Sequence, residues 1–215
     1  MGVYYKNVEP FLDKIDNDSW IEIGLDRGEG STAWFADHCK QRNTNFVGID
    51  MNPEQVKRSK ASLQGKNKNL PKHITLFEGK GEDWLLANQK DVKISFAYLD
   101  NFDWDYWLGG KEEQFVAGVK KTYQELLGVP MTNINSQLTH LLQTIHLIPM
   151  LSKNSIVVCD DTWYHPTEGI FIGKCSTAIN LLMLNGFRIL HSEGYRQNSG
   201  VILGRFEEKG EELVS

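Results

Sequence analysis

A short apolar run, Ser19 to Ile23, ends in a glycine-rich turn, and a helix opens directly behind it: SWIEIGLDRGEGSTAWFADHCKQ. Few folds accept that order. An apolar run of this length bounded by glycine reads as a buried strand. Gly24, Gly28 and Gly30 permit backbone turns barred to other residues and let a ligand approach the chain closely. Ser31 starts the helix, where a hydroxyl can cap free N–H groups and the helix end favours an anion such as a carboxylate. A second strand, Asn45 to Asp50, follows, and Asn52-Pro53 opens the next helix. Strand, helix and strand in this order predict a parallel pair with a helical crossover.

The alternation continues. His73 to Phe77, Val92 to Leu99 and Ser155 to Cys159 read as further strands, and Glu82 to Asn88, Lys111 to Leu127, Ser136 to Leu151 and Lys174 to Leu184 as helices. The helix from Ser136 carries Leu138, Leu141, Leu142, Ile145 and Ile148 on one side, which predicts a core-facing stripe. Phe187 to His191 and Val201 to Phe206 are separated only by a polar turn, so the chain should close on an antiparallel hairpin. The expected architecture is a Rossmann-like α/β domain: a mostly parallel sheet, helices on both faces and a C-terminal antiparallel hairpin. One domain over residues 1–206 is expected, with a lid-like insertion at about 104–135 and an acidic tail at 207–215.

Composition excludes other classes. The chain is 40% hydrophobic and 24% charged with a net charge of -5, so neither disorder nor a phosphate-tracking nucleic-acid surface is expected. The basic stretch from Gln64 to Lys72 contains Gly65 and Pro71 and reads as a solvated loop. Cys39, Cys159 and Cys175 are widely spaced and odd in number, which suits neither a disulfide framework nor a metal finger. With no apolar run long enough to span a bilayer and no signal-like N-terminus, a cytoplasmic setting is the expectation.

Two groups of acids carry chemistry. Asp50 ends the second strand, where a carboxylate can accept both hydroxyls of a ribose. The glycines stand as G-x-x-x-G-x-G, which departs from the G-x-G-x-x-G of nicotinamide enzymes. Asp100 ends the fourth strand and Asp160, followed by Asp161, ends the fifth. In a parallel sheet these ends open on one edge, so three carboxylates converge there. A divalent ion such as Mg²⁺ would neutralise them and could orient an acceptor oxygen. The bland alternative has Asp100 on a cofactor and the Asp160-Asp161 pair capping a loop.

The segments EIGLDRGEGST and VGIDMNPEQ resemble the first two motifs of class I S-adenosylmethionine-dependent methyltransferases. GKGEDWL, AYLDNFDWDYW and MLSKNSIVVCDDTW extend the resemblance, in order, toward the metal-dependent small-molecule O-methyltransferases of the catechol and caffeoyl-CoA type. The resemblance implies a seven-stranded sheet whose last strand is inserted antiparallel. It implies that Glu22, Gly24, Gly28 and Gly30, with Ser31 beside them, line the methionine part of the cofactor. Asp50 would hold the ribose, Met51 the adenine face, and Gly81 and Glu82 the adenine edge. Asp100, Asp160 and Asp161 would hold a metal, with Asp100 also beside the cofactor. The implied activity is methyl transfer from S-adenosylmethionine to a small-molecule acceptor, in the first instance a hydroxyl. From charge and hydropathy neither nucleic acid nor membrane is expected as a partner, and the inserted helices offer a face for a homodimer.

One departure stands out. The catechol-type enzymes place a catalytic lysine three positions after the first metal aspartate, and Asp103 stands there. Asp103 and His165 are therefore the candidate bases. Lys174, at a helix start, reads as a solvated lysine. Phe102, Trp104, Tyr106 and Trp107, like Trp163 and Tyr164, suit either an acceptor wall or packing. A nicotinamide-dependent oxidoreductase and an inactive cofactor-binding module are the rival readings.

Overall fold

The structure is a computed structural model and describes residues 4–25, 28–64, 69–105, 113–193 and 199–207. Its strands are β1 (Ser19–Ile23), β2 (Phe46–Asp50), β3 (Ile74–Glu78), β4 (Ile94–Leu99), β5 (Leu151–Asp160), β6 (Thr162–His165), β7 (Ile170–Gly173), β8 (Arg188–Glu193) and β9 (Gly200–Arg205). Its helices are α1 (Ser31–Arg42), α2 (Pro53–Gln64), α3 (Gly81–Asn88), α4 (Glu113–Leu127), α5 (Asn133–Leu147) and α6 (Ser176–Leu184). A 3₁₀ segment, Tyr4–Lys14, precedes them. Tyr106 and Trp107 of the aromatic run, and the tail beyond Glu207, lie outside the described residues.

Seven strands form one sheet in the order β3-β2-β1-β4-β5-β9-β8. The pairs from β3 to β5 are parallel. β9 runs antiparallel to both β5 and β8, which is the expected C-terminal hairpin with its last strand inserted. The side-chain period of two sorts each strand between two cores. Ile21, Ile23, Ala97, Leu99 and Val157 face α3, α5 and α6, where Leu85, Leu147 and Leu182 meet them. Trp20, Phe46, Phe96 and Ile156 face α1 and the 3₁₀ segment, against Phe35, Tyr5 and Val8. Each of these fully buried large side chains contributes roughly 1.5–3 kcal/mol. Both faces are thus covered, as a parallel sheet requires.

Two expectations need correction. α5 turns the other way round: Ser136, His140, Gln143, Thr144 and Leu147 are buried, whereas Ile134, Leu138, Leu142 and Ile145 are exposed. It also starts earlier, because Thr132 caps it by accepting a hydrogen bond from the Asn135 N–H. The segment between Asp161 and Lys174 is a second, two-stranded antiparallel sheet of β6 and β7 that sequence patterning did not isolate. Among the described residues no helix is long and apolar enough to cross a membrane.

Candidate active site

Strand order changes direction between β1 and β4, and a crevice opens at their carboxyl ends. Gly24 sits at that point with φ +102°, and a Cβ there would stand 2.7 Å from Asp100 backbone atoms. Only glycine lets the two strand ends come so close. Gly28, at φ +71°, packs on the Ser59 backbone of α2 in the same way, and its N–H donates to the Leu25 carbonyl at 2.9 Å. Gly30 takes the position before α1 with no side-chain cap among the described residues, so the hydroxyl cap expected of Ser31 is not made. The first-turn N–H groups of α1 therefore remain available to an anion.

Two adjoining cavities follow. The larger, about 710 Å³, is lined by Gly24, Gly30, Ser31, Asp50, Asp100 and Asp103 among others, and by Asp160, Asp161 and Lys174 at its far end. The smaller, about 180 Å³, is an apolar slot between Ile23, Met51, Leu138 and Leu142, with Gly81 and Glu82 at its edge. Asp50, Met51, Asn101 and Phe102 line both. α4 borders the larger cavity through Val119, Thr122, Tyr123 and Leu126. The exposed apolar face of α5 is thus a cavity wall in part, and its buried polar face secures the slot: Gln143 donates to the Glu82 carboxylate at 3.2 Å.

Asp50 accepts the N–H groups of Leu25 at 2.9 Å and Asn52 at 2.7 Å, one on each oxygen. Its carboxylate is thereby fixed at the mouth of both cavities. Glu22, one strand over, is fully buried on the α1 face. The Thr32 hydroxyl is committed to the Leu25 carbonyl at 3.3 Å, and among the described residues neither Glu22 oxygen has a hydrogen-bond partner. Burial pushes the Glu22 pKa up to about 8, and the nearby Ser31 and Thr32 hydroxyls, outside hydrogen-bond geometry to its oxygens, oppose the rise only in part. A buried acid left in this state suits a cationic ligand.

Phe102 holds φ +49° although it is aromatic and buried. Such a conformation costs about 1–2 kcal/mol. It is held by the Ser136 hydroxyl, which donates to the Phe102 carbonyl at 2.7 Å, and by packing on Tyr123 at 4.6 Å between rings. The bend aims the following residues along the cavity. The Asp103 N–H donates to the Tyr123 hydroxyl at 2.8 Å, and that hydroxyl donates back to Asp103 Oδ2 at 3.4 Å.

The expected convergence of Asp100, Asp160 and Asp161 is present: one oxygen of each lies within 4.8 Å of the others. Lys174, however, is not solvated. Its side chain is 1% exposed, and its ammonium stands 2.8 Å from Asp100 Oδ1, 3.0 Å from Asp161 Oδ2 and 3.9 Å from Asp103 Oδ1. Burial opposes its charge, but the carboxylates of Asp100, Asp161, Asp103 and Asp160 prevail and hold its pKa well above the ordinary lysine value. Burial and the neighbouring Asp100 and Asp161 charges push the Asp160 pKa well up, and burial likewise raises that of Asp100 against the pull of Lys174. Of the other candidates, His165 ends β6 opposite Ile170 and is not among the described lining of either cavity. Trp163 is buried and Trp104 meets it edge-on at 6.5 Å between rings, so both pack together.

No protein-family model matches the chain, and no curated protein matches it in sequence. Solved structures match its fold. The N-methyltransferase NodS of Bradyrhizobium japonicum, solved with S-adenosyl-L-homocysteine, superposes with a TM-score of 0.53 at 13% identity, over 95% of this chain and 86% of that one. The S-adenosylhomocysteine-bound methyltransferase PaMTH1 of Podospora anserina gives 0.50 at 15% identity, over 95% and 77%. A Galdieria sulphuraria structure assigned as a sarcosine dimethylglycine methyltransferase gives 0.50 at 10% identity, over 88% of this chain but only 62% of that one. The chain therefore has the fold in which these S-adenosylmethionine-dependent methyltransferases are built.

Proposed function

We propose that the chain binds S-adenosylmethionine across the two adjoining cavities and transfers its methyl group to a hydroxyl of a small molecule. The observation that carries this reading is the placement of Asp50 and Glu82 along one trough, just at or beyond the carboxyl ends of β2 and β3, with Glu22 buried one strand over from Asp50. The buried Glu22 carboxyl, on the strand that ends at the glycine-rich turn, would face the cationic amino group of the cofactor's methionine part. Asp50 lines both cavities at the end of β2, where its carboxylate would meet the ribose hydroxyls. The slot between Met51 and Leu142 fits a flat adenine, with Glu82 at its edge for an amino group. The antiparallel β9 departs from the parallel strand order of dinucleotide-binding folds, and this observation disfavours the oxidoreductase reading.

When bound, the cofactor supplies a methyl group on a positively charged sulfur, so the leaving group departs without protonation. The work left to the protein is to place the acceptor oxygen in line and take its proton. Asp103 is the residue for the second task. It lines the larger cavity, its side chain is half exposed, and Tyr123 fixes its orientation. His165 is set aside because it stands apart from the described lining.

Titration calorimetry with S-adenosylhomocysteine tests the reading. Wild type should bind, and Asp50→Ala should weaken binding by roughly 100-fold, the worth of two charge-assisted hydrogen bonds. No binding by a folded wild type would overturn it.

A further inference from the structure

The three converging carboxylates have the hard oxygen chemistry of a divalent-cation site, but the residues around them do not fit one. A Mg²⁺-like ion needs several oxygens at about 2.0–2.6 Å. Two of the three carboxylates already hold the Lys174 ammonium at 2.8 and 3.0 Å. An ion placed among them would meet a positive charge only a few ångströms away.

We propose that Lys174 is the resident cation of this site, occupying the position among Asp100, Asp103 and Asp161 that a divalent ion would need, so that the protein works without a metal. The inference rests on the methyl-transfer reading only for its consequence, not for its geometry.

The backbone is shaped to deliver this side chain. Asp161 adopts φ +45° and Gly173 φ +112°, and the Asp161 carbonyl oxygen fills the space where a Cβ on residue 173 would be. The Lys174 N–H donates to that same carbonyl at 3.2 Å. The next N–H, of Cys175, donates to the Thr162 hydroxyl at 3.1 Å. Main chain and side chain of Lys174 are thus both tied to Asp161, through a hairpin whose two ends meet there. A lysine merely lying over an acidic surface would not need two residues in the left-handed region.

The substitution changes what the site can hold. An ion with open coordination positions can clasp two vicinal oxygens. The ammonium has three donors: Asp100 Oδ1 takes one at 2.8 Å, and Asp161 Oδ2 pairs with the charge at 3.0 Å. What remains of its donor capacity is weakly engaged, by the Asp100 carbonyl at 3.4 Å and Asp103 Oδ1 at 3.9 Å. One weakly engaged donor can serve one acceptor oxygen, so the site suits an isolated hydroxyl rather than a vicinal diol.

The test is a Mn²⁺ titration of the intact protein, read by electron paramagnetic resonance, on wild type, Lys174→Met and Lys174→Gln. Wild type should show no site tighter than about 1 mM, the weak end of protein sites for hard cations. Either variant should gain one site at least tenfold tighter, lost again when Asp161→Asn is added, and Mn²⁺ should raise its melting temperature. Stoichiometric Mn²⁺ binding by wild type, or folded variants that gain no site, would overturn the proposal. If neither variant folds, the wild-type titration alone decides between a resident lysine and a metal. S-adenosylhomocysteine binding is measured separately on the same samples. Its failure would remove the methyl-transfer reading while leaving the Mn²⁺ result to stand or fall alone.

Discussion

The carbonyl oxygen of Asp161 stands where a Cβ of residue 173 would have to be, and this close approach of Gly173 brings Lys174 onto the acidic cluster. Gly173→Ala should therefore destabilise the protein by roughly 3 kcal/mol, from left-handed strain and overpacking against backbone. Gly169→Ala is the control. Its φ is +67°, but the nearest atom, the Tyr164 hydroxyl, is 3.8 Å away, so only about 1–2 kcal/mol of strain is expected. Urea unfolding of both variants checks this; equal losses would mean that the Asp161 contact is not the cause.

Glu22 gives the protein a pH dependence. Burial raises its pKa from 4.5 to about 8, so the folded state holds a proton that the unfolded chain releases. Its stabilising contribution is whole below about pH 4.5 and is lost as pH rises through about 8. The melting temperature of the ligand-free protein should fall across that window, and Glu22→Gln should flatten the fall. A cationic ligand favours the ionised form. S-adenosylhomocysteine binding at neutral pH should therefore release a proton, seen as different heats in buffers of different ionisation enthalpy. Identical heats would separate Glu22 from the ligand.

The two faces of α5 predict opposite phenotypes for two leucines. Leu147 is fully buried against the sheet, and Leu147→Ala should cost about 2–5 kcal/mol of stability. Leu142 is 47% exposed and lines the adenine-sized slot, so Leu142→Ser should cost under about 1 kcal/mol. Its effect should appear instead as several-fold weaker S-adenosylhomocysteine binding. Thermal melts and calorimetry on the two variants separate these outcomes.

The same helix marks where sequence reading reached its limit. Strands β1, β2, β4 and β5 were legible because each is an apolar run cut off by glycine or aspartate, and the cut places Gly24, Asp50, Asp100 and Asp160 on one edge. The closing hairpin was legible from two apolar runs joined by a polar turn. The periodicity of α5 revealed a helix but not which face the core takes. Leucines usually go inside, and here Leu138 and Leu142 line the smaller cavity while His140 and Gln143 go in. His140 is a telling case: burial drives its pKa down to about 3, and its Nδ1 meets the Ser136 carbonyl at 2.8 Å. Lys174 was misread because a lone lysine is normally solvated. The signal for it lay in TWYH and IFIG, two short β-prone runs joined by a Pro-Thr-Glu-Gly turn, which read as a hairpin ending directly before the lysine.

The insertion of β9 between β5 and β8 has a consequence for synthesis. Asp160 pairs with Gly200, and Gly200 in turn packs on the Tyr4 ring, so the first described residues, the fifth strand and the ninth meet at one place. A chain made from its N-terminus has β1 to β5 in hand long before Arg205 emerges. Until then the outer edge of β5 carries unpaired N–H and C=O groups, and β8 has nowhere to dock. Such an edge is a template for pairing with another nascent chain. The hazard lasts until the ninth strand arrives, so slow translation or truncation near residue 200 should show first as aggregation.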